Sequence, residues 1–218
     1  SRIRVVVADT GDPEVCRHLV EGTVEAFGSL HGLINAGGRP GPQRMLEDIP
    51  FSESDRLANG DDATMFDAAR ELLGGPWNMA RAAAPHIAPG GVIVNVSTIF
   101  SRTPYYGRAA YTVPKAGMNA MSVGLAHELG GGDRGIRVNT VFPGPIDSER
   151  IRGVFGQMDR LQELEPGATA RSFRDLMILE RRPNDDPEES AYLVPEDVAT
   201  TVLWLCSTES AAFSGQTF

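Results

Sequence analysis

Several things are scarce in this chain, and each scarcity excludes something. Cysteine occurs twice in 218 residues, at Cys16 and Cys206. The two lie far apart in apolar, helix-patterned stretches, which argues against a disulfide framework and points to a reduced, cytoplasmic setting. No apolar run reaches the ~18 residues of a membrane span, so no membrane association is expected. No secretory leader pattern opens the sequence. Positive charge is also short: 20 Lys and Arg against 29 Asp and Glu leave a net charge of −9. A nucleic-acid binder usually shows a basic face, so none is expected, although a local basic pocket remains compatible with this balance. The four histidines, His18, His31, His86 and His127, have no metal-ligand spacing, so no metal site is expected.

What is present is alternation. Short β-branched runs are followed by Ala-rich stretches of helical period, which reads as a layered α/β domain. Arg2 to Ala8 reads as a buried strand, and Asp9-Thr10-Gly11-Asp12-Pro13 as a loop that caps a helix over 14–27. Leu30 to Ile34 is a second strand, and residues 39–60 are loop-like. A helical pattern over 63–88 is broken or kinked near Gly74-Gly75-Pro76. Val92 to Val96 is a strand, 109–129 a long helix, and Ile136 to Phe142 another strand. The polar segment 147–193 is longer than an ordinary connection and reads as a cover bearing short helices. Pro195 opens a last helix, and a further strand begins at 214–218. Strand–helix alternation of this kind gives right-handed crossovers and a doubly wound parallel sheet of Rossmann type. Its ligand site lies at the carboxyl ends of the strands, on the loops after Ala8, Ile34, Val96 and Phe142.

The strongest chemical signal is Tyr111-Thr112-Val113-Pro114-Lys115. Tyrosine and lysine four apart share one helix face. A phenol titrates near 10, and an adjacent ammonium lowers that value by stabilising the phenolate. Upstream, a strand ends in Asn95-Val96-Ser97-Thr98, whose hydroxyls can polarise a substrate carbonyl beside the tyrosine.

Taken together, Asn35-Ala36-Gly37, Val94-Asn95-Val96-Ser97-Thr98, Tyr111 with Lys115, and Arg137-Val138-Asn139-Thr140-Val141-Phe142-Pro143-Gly144-Pro145-Ile146 resemble the short-chain dehydrogenases/reductases in order and spacing. The resemblance implies an NAD(P)-dependent oxidoreductase that interconverts an alcohol and a carbonyl. It implies Tyr111 as proton donor and acceptor and Lys115 as the ribose-binding lysine that tunes it. Thr98 is the implied substrate-polarising hydroxyl, with Ser97 the alternative. Asp9 and Thr10 stand where the family contacts adenine. Asn35, Ala36, Gly37 and Val96 would line the cofactor, with Pro143, Gly144, Ile146 and Ser148 around the nicotinamide. Homo-oligomers are common in such folds.

Two departures from the family pattern stand out. The Gly-rich phosphate loop is absent, so by the pattern the chain lacks the first βαβα unit and the end of the last strand. It reads as a single incomplete domain over 1–218. Glu71 occupies the position where the family usually has an asparagine, which puts that residue's proton-relay role in question; Asn59 and Asn78 fit less well.

A narrower similarity covers the variable cover segment as well. Residues 94–102, 105–108, 142–146, 149–152 and 154–159, the stretch up to Arg182, and Ser210-Ala211-Ala212 with Ser214-Gly215 resemble the N-terminal half of the bifunctional malonyl-CoA reductases. That resemblance implies NADPH-dependent reduction of malonate semialdehyde to 3-hydroxypropionate, with NAD not excluded as cofactor. It also implies neighbouring reductase modules in one longer chain. A substrate carrying a carboxylate needs a fixed cation, preferably arginine. Arg102, Arg108, Arg150 and Arg152 flank the expected site, and Arg108 or Arg150 is the expected anchor. Two other readings share much of this pattern: a general 3-oxoacyl or carbonyl reductase, and a non-catalytic module of a multidomain reductase.

Overall fold

The computed structural model describes residues 3–39, 41–50, 64–103, 105–175 and 192–218. Helix α1 (Pro13–Phe27) begins where local chemistry dictates: the Asp12 carboxylate accepts from the Glu14 N–H at 2.9 Å, and Pro13 fills the first turn. Strand β1 (Leu30–Asn35) follows. Helix α2 (Met65–Ala69) runs through a π-helical turn (Arg70–Gly74) into α3 (Gly75–Ala83). The expected break at Gly74-Gly75-Pro76 therefore takes the form of a widened turn. Pro76 has no N–H for the ordinary i→i−4 bond, and the wider turn just before it, with the Gly75 N–H reaching the Arg70 carbonyl, absorbs the gap.

The helical expectation over 63–88 overruns the structure. The chain turns at 84–86, and β2 (Ile87–Val96) starts at once. Alanine favours helix, but Pro85 disfavours it in the residue before, and Ile87 finds a strand partner in Leu30. Helix α4 (Ala109–Gly130), strand β3 (Arg137–Val141), and helices α5 (Glu149–Leu161), α6 (Ala168–Asp175) and α7 (Pro195–Cys206) complete the order.

The three strands pair in parallel in the order β1-β2-β3, with Ile34 opposite Val94 and Val94 opposite Asn139. On the outer side of β3, the Gly215 N–H reaches the Val138 carbonyl at 2.7 Å and the Phe218 N–H reaches that of Thr140 at 3.0 Å. The strand expected at 214–218 thus starts to pair as the sequence indicates. The segment 2–8 is different. Residues 3–9 form no strand, and Val5 and Val7 are 85% and 99% exposed. β-branched residues favour extended backbone, but a strand is a ladder, and among the described residues no strand lies beside this segment to complete one.

The central strand is buried on both faces, which is why it reads as a continuous apolar run. Ile93 and Val138 face one way, onto Val20 of α1, Ala80 and Ala83 of α3 and Leu129 of α4. Val92, Val94 and Val141 face the other way, onto Leu205 of α7. One polar relay crosses the first layer. The Asn35 amide donates to the Asn95 side chain at 2.8 Å, the Asn95 amide donates to Ser122 Oγ at 2.9 Å, and Ser122 donates to the Met118 carbonyl at 2.8 Å. These groups tie β1, β2 and α4 at the level where the strands end. Asn95→Ala leaves the Asn35 amide and Ser122 without those partners, and should lower unfolding free energy by roughly 1–3 kcal/mol. A urea titration of variant and parent chain checks this; an unchanged midpoint would show the relay to be dispensable.

Candidate active site

The carboxyl ends of β1, β2 and β3 open into a cavity of about 360 Å³. Helix α4 supplies one wall through Tyr111 and Lys115, and Arg108, the residue that precedes its first turn, lines the cavity beside them. The four-residue spacing places Tyr111 and Lys115 on one helix face. The loops after β1, β2 and β3 contribute Ala36-Gly37-Gly38, Ser97-Thr98 and Pro143-Gly144-Pro145-Ile146, and the start of α5 adds Ser148 and Arg150. Ala36, Gly37, Val96, Ser97, Thr98, Arg108, Tyr111, Lys115, Pro143, Gly144, Ile146, Ser148 and Arg150 of the expected set therefore meet in one place. Leu72, Phe100, Ile151 and Val154 line it as well. Periodicity gives no sign of these four, because a residue that closes a cavity looks like any core residue.

Lys115 is held by the strand it packs on. Its Nζ donates to the Val96 carbonyl at 2.9 Å, and the Ser97 hydroxyl donates back to the Lys115 carbonyl at 3.2 Å. Burial, reinforced by the charge of Arg150, pulls the lysine pKa down to about 8. Ser97 is thus engaged with the helix backbone. Thr98, one residue on, hydrogen-bonds to the Tyr111 side chain and accepts from the Phe100 N–H at 3.3 Å. Burial raises the Tyr111 pKa, and Arg108, Arg150 and the Thr98 hydrogen bond pull it the other way. Arg108 stacks over the tyrosine ring, its Cζ 4.1 Å from the centroid.

The four arginines expected near the site divide in two. Arg108 and Arg150 line the cavity. Arg102 instead lies over the Phe142 ring at 4.9 Å, and Arg152 pairs with Asp147 at 2.6 Å. None of the described lining residues is acidic, so Arg108, Lys115 and Arg150 make a cationic pocket in a chain of net charge −9.

Asp9, Thr10 and Asn35 stand outside the cavity lining. Asp9 pairs with Arg70 at 2.8 Å and accepts from the Gly11 N–H, which hold its pKa below the ordinary carboxylate value. The Thr10 carbonyl accepts from the Asn78 amide at 3.2 Å and from the Cys16 thiol at 3.3 Å. Asn35 turns its side chain into the relay with Asn95. Glu71 also points elsewhere: it pairs with Arg39 on the loop after β1. Its neighbour Leu72 fills the space where a side chain at Gly38 would sit. Gly38 has φ of +143°, and a Cβ there would lie 2.6 Å from Leu72. The π-helical turn thus clamps two segments, Arg70 to Asp9 before α1 and Glu71 to Arg39 after β1, while Leu72 lines the cavity.

The expected cover over 147–193 contains α5 and α6 among its described residues, while 176–191, including Arg182, lie outside them. The two helices pack on the cavity rim through an aromatic cluster. Phe155 stacks on Phe173 at 4.8 Å, and Tyr105 meets Phe100 edge-on at 4.7 Å.

The family described as Enoyl-(Acyl carrier protein) reductase matches residues 1–176. The chain belongs to the short-chain dehydrogenase/reductase family. Within that family it is 31% identical to 2-(R)-hydroxypropyl-CoM dehydrogenase of Xanthobacter autotrophicus, over 82% of this chain and 69% of that protein. It is 29% identical to General stress protein 39 of Bacillus subtilis, over 98% of this chain and 63% of that protein. A crystal structure of the N-domain of a bacterial malonyl-CoA reductase with NADP is similar at 49% identity and a TM-score of 0.88, covering 98% of this chain and 40% of that one. This short-chain dehydrogenase/reductase chain therefore spans less than two thirds of General stress protein 39 and under half of the N-domain chain. No helix among its described residues is long and apolar enough to cross a membrane.

The depressed lysine pKa has a consequence for stability. A cation whose folded pKa lies below its unfolded value opposes folding while protonated. The penalty is full below pH 8 and is relieved as pH rises toward the unfolded value near 10.4. Between pH 8 and 10, the cofactor-free protein should gain stability relative to Lys115→Met. Chemical denaturation of both proteins across that range checks this; parallel curves would place Lys115 in water.

Proposed function

We propose that this chain carries the active site of an NADPH-dependent reductase. Its substrate is a small aldehyde, malonate semialdehyde, which it converts to 3-hydroxypropionate as part of a bifunctional malonyl-CoA reductase. The observation that supports this most is the 49% identity to the malonyl-CoA reductase N-domain, solved with NADP, which extends over 98% of the chain including the cover helices. The other reductase modules of such a longer chain are its proposed partners.

The residues fit a nicotinamide nucleotide. Open space lies where side chains at Gly37 and Gly144 would project, so two backbone walls can approach a flat ring closely. The buried Lys115 ammonium stands between them, at the end of β2, to hold ribose hydroxyls. Pro143, Ile146 and Ser148 complete the nicotinamide side of the cavity. Asp9 and Thr10, outside this cavity, are proposed for the adenine end, and Asn35 for the cofactor wall that Ala36 and Gly37 continue.

Bound NADPH supplies the hydride to the carbonyl carbon. Thr98 hydrogen-bonds the carbonyl oxygen and orients it. Tyr111 gives its proton to that oxygen as the alcohol forms, and burial keeps it protonated beforehand. Lys115 would hold the ribose of a bound nucleotide, and Arg108 and Arg150 stabilise the phenolate left on Tyr111. The apolar lining from Leu72, Phe100, Ile151 and Val154 keeps bulk water from the reacting atoms.

The test uses the full-length protein with NADPH and malonate semialdehyde, following loss of nicotinamide absorbance. Tyr111→Phe should lower turnover at least ~100-fold while retaining NADPH binding, because only the proton donor is lost. Turnover unaffected by the substitution would place the chemistry in another module and leave this one a scaffold.

A further inference from the structure

Arg108 is the least satisfied cation in the described residues. It is 4% exposed, yet its Nε and Nη1 are buried with no hydrogen-bond partner. A buried guanidinium without an anion is costly, and proteins rarely keep one without a use for it. Burial lowers its pKa to about 10, which still leaves it charged at neutral pH. It is held in place from several sides. A tight turn delivers it, with Gly107 at a φ of +66° and the Arg108 N–H bonded to the Tyr105 carbonyl at 3.1 Å. Its guanidinium lies over the Tyr111 ring. Arg150, the other cavity arginine, is solvent-exposed at the start of α5.

We propose that Arg108 alone is the substrate anchor, and that it selects 3-oxo acids, whose carboxylate is one carbon away from the reacting carbonyl. This rests on the reductase reading above. The spacing follows from the stacking. A carbonyl oxygen must sit within about 3 Å of the Tyr111 hydroxyl to receive its proton. A carboxylate must sit within about 3 Å of the Arg108 nitrogens. Those nitrogens lie over the same ring, 4.1 Å from its centroid at Cζ. In a 3-oxo acid a single carbon joins the two groups, which suits positions set on one ring. A longer chain has to fold back on itself or lift its carbonyl off the tyrosine. An uncharged aldehyde leaves the buried guanidinium as unpaired as before, so it forgoes the interaction that a carboxylate gains. Sites built around a buried polar group reject analogues that cannot pair with it far more strongly than they reject a missing methylene.

The experiment compares 3-oxopropanoate, 4-oxobutanoate and propanal as substrates of the full-length protein with NADPH, and measures 3-hydroxypropanoate as a competing ligand. Parent, Arg108→Gln, Arg108→Lys and Arg150→Gln proteins are compared, with NADPH binding followed by fluorescence to confirm that each variant retains its fold. The parent protein should prefer 3-oxopropanoate to propanal by about a thousandfold in kcat/KM, and to 4-oxobutanoate by at least about tenfold. Arg108→Gln should collapse the preference over propanal to within about tenfold, chiefly through KM, and weaken 3-hydroxypropanoate binding about a hundredfold. Arg108→Lys should fall between, since it keeps the charge without the planar fork. Arg150→Gln should retain the preference. A preference that survives in Arg108→Gln, or disappears in Arg150→Gln, overturns the assignment while leaving the reductase reading intact. Propanal and 3-oxopropanoate falling by the same factor in Arg108→Gln would leave Arg108 with its part in stabilising the Tyr111 phenolate and nothing more, and overturn the assignment equally. If the parent protein turns over none of the aldehydes, the reductase reading itself fails, and this inference with it.

Discussion

Three cations around one phenol set the terms for everything else near the cavity. Tyr111 and Lys115 share a helix face, Arg108 stands at the start of the same helix, Arg150 adds charge from the start of α5, and no described residue of the lining is acidic. Arg108 and Lys115 lose hydration on burial and feel the charge of the exposed Arg150, so the surrounding protein must hold them in place. It does so with the Val96 carbonyl on Lys115, the tyrosine ring under Arg108, and an aromatic cluster that closes the rim. The arrangement is favourable only toward anions and developing negative charge, which is what a hydride acceptor with a carboxylate presents.

The sheet sets this geometry through register. Asn35, Asn95 and Thr140 are opposite one another across three parallel strands, and the loops that line the cavity leave from the next residues. The relay from Asn35 through Asn95 to Ser122 then fixes α4 against those strand ends. Two apolar clusters, one on each face, keep the central strand from shifting. A slip of one residue would turn every buried valine to the opposite layer.

Much of this was legible in the sequence, and the parts that were not share a physical cause. Helices with strong boundary chemistry were readable, as Asp12-Pro13 for α1 and Pro195 for α7 show. So were strands that are buried on both faces. The segment 2–8 has the composition of a strand, but composition cannot supply a neighbour to pair with. The stretch 84–88 continues an Ala-rich pattern, but Pro85 and the pairing of Ile87 with Leu30 end the helix, and only the second lies outside local sequence. Within the site, chemistry-bearing residues at fixed spacing, such as Tyr111 and Lys115, were visible. Which of the four arginines reach the cavity was not, because Arg102 and Arg152 differ from Arg108 only in what tertiary packing places beside them. Glu71 looked like a damaged relay position; in the structure it braces the loop after β1 through Arg39.

The reciprocal bonds between Lys115 and the end of β2 have a consequence for motion. Lys115 Nζ donates to Val96, and Ser97 donates to the carbonyl of Lys115, so the strand end and the second turn of α4 each hold the other. Neither can open alone without breaking the lock at a buried position. The two therefore belong to one cooperative opening unit, and their amide protons exchange together, at a rate set by the core and not by the neighbouring loops. The catalytic geometry has no softer mode of failure than the sheet itself.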